Sequence, residues 1–284
     1  MASFDGRALP PRPVLVTFDD AYVSVSEFAA PLCAELGIPG AFFVNASCLD
    51  NQQLALDNLI CYVVNVYGIK IINQAIQAVL GNAACEVHSM KEIFAGFLPN
   101  VSLRTRKAFR NTLVRLSGIN ELELALEARI YLTSRELRNL AILNFEIGDH
   151  TLTHINCRAA SEEELASEID ENRIALEAIT GRRVRAFSVP YGSSADLTAD
   201  LVAHLRNAGY QAAFMAEGRG NSETIDCWHL NRVSINTGEH SMLFSEIEVL
   251  PRLRSFRNKF AANPRSRVDR SFTQSLHLEG DNIQ

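Results

Sequence analysis

The chain has 284 residues, of which 47% are hydrophobic and 21% charged, and its formal net charge is −6. This length and apolar content suit one large domain, or one domain with an insertion. The negative charge argues against nucleic acid as the main partner, since duplex binding needs a basic face. The six cysteines form no CxxC pair, which excludes zinc-knuckle spacing and the disulfide density of a small secreted scaffold.

The N-terminal sequence has no basic start followed by an apolar run, so it predicts no secretory signal. The most apolar later stretch, residues 58–80, is interrupted by Asn65, Lys70, Asn73 and Gln74. A membrane span needs about 20 mostly apolar residues, so we expect no transmembrane segment. On these grounds we expect a soluble, cytoplasmic protein.

The first predicted unit is strand, helix, strand. Residues 13–18 form an apolar, β-branched run, residues 26–36 have helical apolar spacing with Gly37 as a stop signal, and residues 41–44 are a second apolar run. A βαβ unit of this length implies parallel strands with a right-handed crossover.

Residues 49–131 differ from what precedes them. Amphipathic helical patterns cover residues 54–66, 69–80 and 122–128, and strand signals are sparse. We therefore predict one domain over residues 1–240, with a helical insertion at about 49–131 that acts as a scaffold or lid.

The strand–helix alternation then returns. Thr133 and Ser161 each begin a capping box, and Gly181 predicts the end of the second of these helices. The remaining elements are strands at residues 144–148, 184–189, 211–215 and 231–235, and a helix at 197–207. Residues 241–284 are predicted to hold a helix and a basic tail, which is most simply a solvated chain end.

Two adjacent carboxylates, Asp19 and Asp20, follow the first predicted strand in the sequence Thr-Phe-Asp-Asp. Carboxylates this close repel each other unless a cation separates their roles, so that one coordinates the cation and the other stays free as a base. A turn at a strand end explains the pair equally well.

Two histidines, His150 and His154, follow the strand predicted at residues 144–148. Histidines four residues apart can converge on one metal ion, and imidazole with carboxylate suits zinc or a similar divalent ion. A third motif, Pro190-Tyr191-Gly192, follows the next predicted strand. Its fixed turn could aim the Tyr191 N–H into a pocket as an oxyanion donor, although a purely structural loop has the same composition.

Taken together, the TFDD, HTLTH and PYG motifs resemble those of the NodB-homology polysaccharide deacetylases, carbohydrate esterase family four. The resemblance covers about residues 9–48 and 132–235. It implies an α/β fold, a distorted (β/α) barrel with fewer than eight strands, here with a largely helical insertion. It also implies a metal-dependent hydrolase that removes N-acetyl groups from amino sugars.

The resemblance assigns a role to each motif residue. Asp19 corresponds to the general base, and the Tyr191 N–H to an oxyanion donor. Asp20, His150 and His154 correspond to ligands of a divalent metal, with Zn²⁺ expected and Co²⁺ or Ni²⁺ as alternatives. Pro190 is expected to contact substrate, as is Trp228, the counterpart of a tryptophan in a later family motif.

Three positions depart from the family pattern. Ser188 stands where familiar members have an arginine that braces the catalytic aspartate, and Ala21 replaces a glycine. The family's last histidine, which protonates the leaving amine, has no clear counterpart. Its role could fall to a residue upstream of this chain or to another group such as His240, or the enzyme could be impaired.

The expected substrate is an N-acetylated glycan, such as a chito-oligosaccharide or a precursor of an exported polysaccharide. An O-acetyl esterase or a small-amide hydrolase would use the same metal site. A glycan-binding homologue with impaired catalysis is the alternative of a different class.

Overall fold

A computed structural model describes residues 13–221, 226–235 and 250. The chain divides into two compact units, residues 1–216 with 225–230, and residues 217–224 with 231–284. The sheet, the helices given below and all three motifs lie in the first unit. In the second, the Gly218 N–H donates to the Arg232 carbonyl, and Asn221 makes two hydrogen bonds with the Asn231 backbone.

Five parallel strands form one curled sheet, a half-barrel, in which the spatial order follows the chain order. Each connection from one strand to the next contains helix, as parallel pairing requires. The strands are β1 (Val16–Phe18), β2 (Gly40–Val44), β3 (Glu146–Asp149), β4 (Ala186–Ser188) and β5 (Ala212–Phe214). The α/β fold implied by the resemblance, a distorted (β/α) barrel with fewer than eight strands, is confirmed.

Eight α-helices lie in the described residues. A π-helical turn, Val25–Ala29, leads into the first of them. The helices are α1 (Ala30–Glu35), α2 (Leu56–Tyr67), α3 (Ile69–Leu80), α4 (Leu103–Ser117), α5 (Glu121–Ala128), α6 (Ser134–Ile142), α7 (Glu162–Thr180) and α8 (Ala199–Ala208). Both predicted capping boxes are present, at the starts of α6 and α7, and α7 ends at Gly181 as predicted.

The sheet is buried on both faces, which explains why its strands read as continuous apolar runs. Along β2, Phe42 and Val44 pack against the core that α1, α6, α7 and α8 help to form, whereas Ala41 and Phe43 face the opposite side. The segment between β2 and β3 has a separate core of its own, built mainly from α2, α3 and α4. This helical segment therefore packs as a body of its own beside the sheet.

The prediction of a strand at residues 231–235 is wrong, because none of these residues forms a strand. Pairing with β5 comes earlier in the chain and is irregular. The Ala213 N–H donates to Cys227, the Met215 N–H donates to Leu230, and the Leu230 N–H donates back to Ala213. Residues 227–230 thus cover the last strand through a single bridge at Leu230.

No helix in the described part of the chain is both long and apolar enough to cross a membrane. The basic tail and the helix predicted for residues 241–284 lie outside the described residues, apart from the single residue Leu250.

Candidate active site

The three motifs lie at one edge of the sheet. The two aspartates follow β1, the histidine pair follows β3, and the Pro-Tyr-Gly turn follows β4. The carboxyl ends of parallel strands share an edge, and ligands bind there in open α/β sheets. The topology therefore brings together residues that are far apart in sequence, such as Asp19 and Ser188, which are 169 positions apart.

The loop after β1 makes a sharp turn. Asp20 and Ala21 both have positive φ, at 69° and 56°. Two backbone hydrogen bonds from the end of the helical segment hold this turn. The Leu132 N–H donates to the Ala21 carbonyl at 2.8 Å, and the Val23 N–H donates to the Ile130 carbonyl at 2.8 Å. Backbone strain of this kind persists only where surrounding contacts enforce it.

The histidine loop is held by two buried polar side chains. The Asn45 amide donates to the carbonyl of His150 at 2.5 Å and to that of the following residue at 2.8 Å. The Glu168 carboxylate accepts from both the N–H and the hydroxyl of Thr153, each at 2.8 Å. His154 itself has a positive φ of 55°. These contacts fix the direction in which the two imidazoles point.

A buried carboxylate lies beneath this loop. Asp149 accepts hydrogen bonds from the Tyr210 hydroxyl at 2.6 Å, the Thr151 N–H at 2.7 Å and the Asn172 amide at 2.9 Å. Complete burial raises the pKa of Asp149 to about 7, although these hydrogen bonds act in the opposite direction. Asp149 supports the backbone next to His150.

Asp20, His150 and His154 form a cluster suited to a metal ion. One ligand atom from each residue lies within 4.8 Å of the others. The Asp20 Oδ1 is 3.6 Å from the His150 Nε2 and 3.9 Å from the His154 Nε2. Two imidazoles and one carboxylate match the three-ligand sets of catalytic zinc sites.

The electrostatics of the cluster also fit a cation. Asp19 approaches the His150 ring at 3.7 Å and Asp57 approaches the His154 ring at 3.6 Å, so three carboxylates surround two imidazoles. Burial lowers the pKa of His154, and the neighbouring His150 lowers it further. A lowered pKa keeps the imidazole neutral, which is the form that binds metals.

Ser188 contacts both Asp19 and His150. Its hydroxyl donates to the Asp19 Oδ2 at 3.2 Å, and its carbonyl lies 2.7 Å from the His150 Nδ1. A proton on Nδ1 leaves Nε2 unprotonated towards the two aspartates. The position where familiar family members have arginine thus holds a smaller residue that still reaches the aspartate.

Tyr191 also has a positive φ, 63°, and Gly192 follows at 65°. A Cβ at Gly192 would lie 2.6 Å from the Ala216 nitrogen, so glycine is required for this turn to pack against the chain after β5. No atom among the described residues accepts a hydrogen bond from the Tyr191 N–H. The Tyr191 ring lies beside that of His154, with centroids 5.4 Å apart.

Two residues of the helical segment reach the site, and neither belongs to a motif recognisable in the sequence. Arg106 on α4 is 4% exposed. It donates to the His154 carbonyl at 3.1 Å and contacts the Tyr191 hydroxyl at 3.3 Å. Asp57 on α2 faces the His154 ring. Arg106 occupies a buried position on α4 where the helical period predicts an apolar residue. A charged residue at such a position is the sequence signal that could have identified Arg106.

The two expected substrate contacts are placed differently. Pro190 is buried within its turn. The ring of Trp228 lies 4.9 Å from the Arg206 guanidinium on α8. None of the contacts described for Trp228 is with the three motifs, and both substrate contacts stay predictions. His240 lies outside the described residues.

A family model for polysaccharide deacetylases matches residues 122–213, which include the histidine pair and the Pro-Tyr-Gly turn. No curated protein sequence matches the chain. Among solved structures, the chain is similar to a de-N-acetylase from Aggregatibacter actinomycetemcomitans, with 15% identity, a TM-score of 0.52, and coverage of 86% of this chain and 78% of that one. It is also similar to the Streptococcus pyogenes deacetylase PplD, solved in complex with acetate, with 13% identity, a TM-score of 0.51, and coverage of 86% and 73%.

At these identities the solved structures support the fold alone. The region that the family model matches is 92 of the 284 residues, about a third of the chain.

Proposed function

We propose that this protein is a metal-dependent deacetylase that hydrolyses the N-acetyl groups of amino sugars in an oligo- or polysaccharide. The observation that carries the proposal is the convergence of Asp19 with the Asp20, His150 and His154 cluster at one sheet edge. It places a carboxylate that can act as a base beside a donor set that fits a divalent cation.

Asp20, His150 and His154 would hold the metal, with Zn²⁺ favoured because imidazole and carboxylate are both among its usual ligands. When bound, such an ion polarises an acetyl carbonyl and makes water acidic enough to deprotonate near neutral pH. The strained backbone at Asp20 and His154 supports this role, since such strain clusters at functional sites.

Asp19 would take the proton from the attacking water as general base. The Ser188 hydroxyl holds this carboxylate at 3.2 Å, so its second oxygen can face the water. Removing a positioned acid or base typically lowers the rate by about 10²- to 10⁴-fold. The Tyr191 N–H, which has no acceptor among the described residues, would donate to the oxyanion that forms at the acetyl carbon.

The products would be acetate and a free amine on the sugar, so acetate release from N-acetylglucosamine oligomers tests the proposal. The protein is stripped of metal and reloaded with Zn²⁺ or Co²⁺, beside Asp19→Asn as the inactive variant. Acetate release that requires both the metal and Asp19 supports the proposed deacetylase activity. No release, with metal still bound, would count against N-acetylated glycans as the substrate class.

The same panel separates the alternatives. Release from O-acetylated sugars only would indicate an esterase on this scaffold. Binding of glycans without release from any of them would indicate an impaired homologue. Absence of metal binding would refute the assignment of the three ligands.

A further inference from the structure

We propose that Asp57, from the helical segment, is a positioning residue that orients His154 for metal binding. The inference rests on the proposed metal site and extends it to a residue outside the three motifs. It also gives the helical segment a part in the chemistry, because Asp57 lies in the first turn of α2.

The two nitrogens of His154 face two different carboxylates. The Nε2 is 3.9 Å from Asp20, a metal ligand of the proposed site, and the Nδ1 is 3.6 Å from the Asp57 Oδ2. A neutral imidazole carries one proton. With that proton on Nδ1, directed at Asp57, the Nε2 lone pair is free to bind a cation on the Asp20 side.

The other histidine of the pair is arranged in the same way. The Nδ1 of His150 lies 2.7 Å from the Ser188 carbonyl, and its Nε2 faces Asp20 at 3.6 Å. Metal-binding histidines almost always direct their second nitrogen at a carboxylate or a carbonyl. Asp57 faces the corresponding nitrogen of His154, in an ion-pair contact of 3.6 Å where the carbonyl contact of His150 is 2.7 Å.

The position of Asp57 in the first turn of α2 favours a carboxylate, but the hydrogen bonding of that carboxylate is incomplete. Its Oδ1 is buried and, among the described residues, has no hydrogen-bond partner. An unpaired buried acceptor is destabilising. An electrostatic partner offsets this cost. The partner of the Asp57 carboxylate is the His154 ring, which lies in the proposed metal site and so stands beside a positive charge when a metal ion is bound.

The first turn of α2 is held firmly enough for this role. The Asn58 amide donates to the Tyr131 hydroxyl at 2.6 Å and to the Tyr22 hydroxyl at 3.2 Å, and the Ala55 N–H donates to the Tyr131 hydroxyl at 2.8 Å. Tyr131 is fully buried, and Tyr22 follows the Asp-Asp turn directly. The helix bearing Asp57 is thus tied to the loop that carries Asp20.

The test is Co²⁺ binding by the metal-stripped full chain, followed by its visible absorption, for wild type and Asp57→Asn. Loss of a partner of this kind lowers metal affinity by about 10- to 100-fold, which is the effect expected for Asp57→Asn. Asp200→Asn is the matched control, since Asp200 is the exposed second residue of α8 as Asp57 is the second residue of α2. Its affinity should stay within about twofold of wild type.

A second readout needs no metal. In ¹⁵N spectra of the metal-free protein, His154 should carry its proton on Nδ1 in wild type and should lose that preference in Asp57→Asn. If Asp57→Asn does not fold by circular dichroism, Asp57→Glu replaces it, because it keeps the charge and displaces the carboxylate, and an affinity about 10-fold weaker is then expected.

Equal Co²⁺ affinity for wild type and the folded Asp57 variant would overturn the inference, as would an equal loss in Asp200→Asn. Failure of wild type itself to bind Co²⁺ would instead refute the proposed metal site. In that case an unchanged His154 tautomer in Asp57→Asn would refute the positioning role separately.

Discussion

Replacing the buried Asp149 with asparagine should change how stability depends on pH. Its folded-state pKa is raised from 3.8 to about 7 by burial. At about 1.4 kcal/mol per pKa unit, that rise corresponds to roughly 4 kcal/mol. Between pH 3.8 and 7 the unfolded chain has released this proton while the folded chain retains it, so Asp149 favours folding below pH 3.8 and loses that contribution as pH rises to 7.

Asparagine keeps the hydrogen bonds of Asp149 without the charge. Its oxygen can accept from the Thr151 N–H and the Asn172 amide, and its amide can donate to the Tyr210 hydroxyl oxygen. Urea unfolding of the metal-free wild type and of Asp149→Asn, at intervals from pH 4 to pH 8, gives the difference in free energy of unfolding.

That difference should move in favour of Asp149→Asn as pH rises, by roughly 4 kcal/mol in total, and should level off above pH 7. Other titrating groups affect both proteins and cancel in the comparison. A difference that stays constant from pH 4 to pH 8 would show that the carboxyl titrates normally and would refute the reasoning.

Substitutions at three further positions test the parts of the site. Arg106→Met leaves buried carbonyls without their hydrogen-bond donor, so it should lower the free energy of unfolding by roughly 3 kcal/mol. Arg106→Lys should restore part of that loss. Urea unfolding measures both variants. Gly192→Ala places a methyl group against the Ala216 backbone at positive φ, so it should cost about 1–3 kcal/mol, and an unchanged melting temperature would contradict the turn described here. Ser188→Ala removes a hydrogen bond worth about 1 kcal/mol, so acetate release should slow by roughly 5-fold with the metal still bound; an unaffected rate would mean that the serine does not hold the catalytic base. Tyr191 should keep its ring position in Ser188→Ala, which a crystal structure of that variant would check.

Much of the fold can be predicted from the sequence, because the local sequence signals agree with the tertiary structure. The strands are short apolar runs, the helices begin at capping boxes such as those of Thr133 and Ser161, and α7 ends at Gly181. Buried parallel strands joined by amphipathic helices allow few other arrangements. The strand expected at residues 231–235 fails because apolar content alone does not show where pairing occurs, and β5 pairs instead with residues just before it.

The division into a domain over residues 1–240 with an insertion at 49–131 stays a prediction, as do the roles of the motif residues. The structure adds that the three motifs meet at one edge of the sheet. The sequence could indicate this meeting because each motif follows a predicted strand, and parallel strands end at the same edge.

By itself, the sequence determined the α/β class, the parallel pairing of the first βαβ unit and the motifs that follow predicted strands, since these depend on local periodicity and on short motifs. Only the tertiary structure decided which parts of residues 49–131 face the site. Asp57 and Arg106 lie in helices whose sequence patterns look like ordinary amphipathic surfaces. Their contacts with His154 span 97 and 48 positions along the chain, and a separation of that kind is fixed by how helices pack on the sheet rather than by any local pattern.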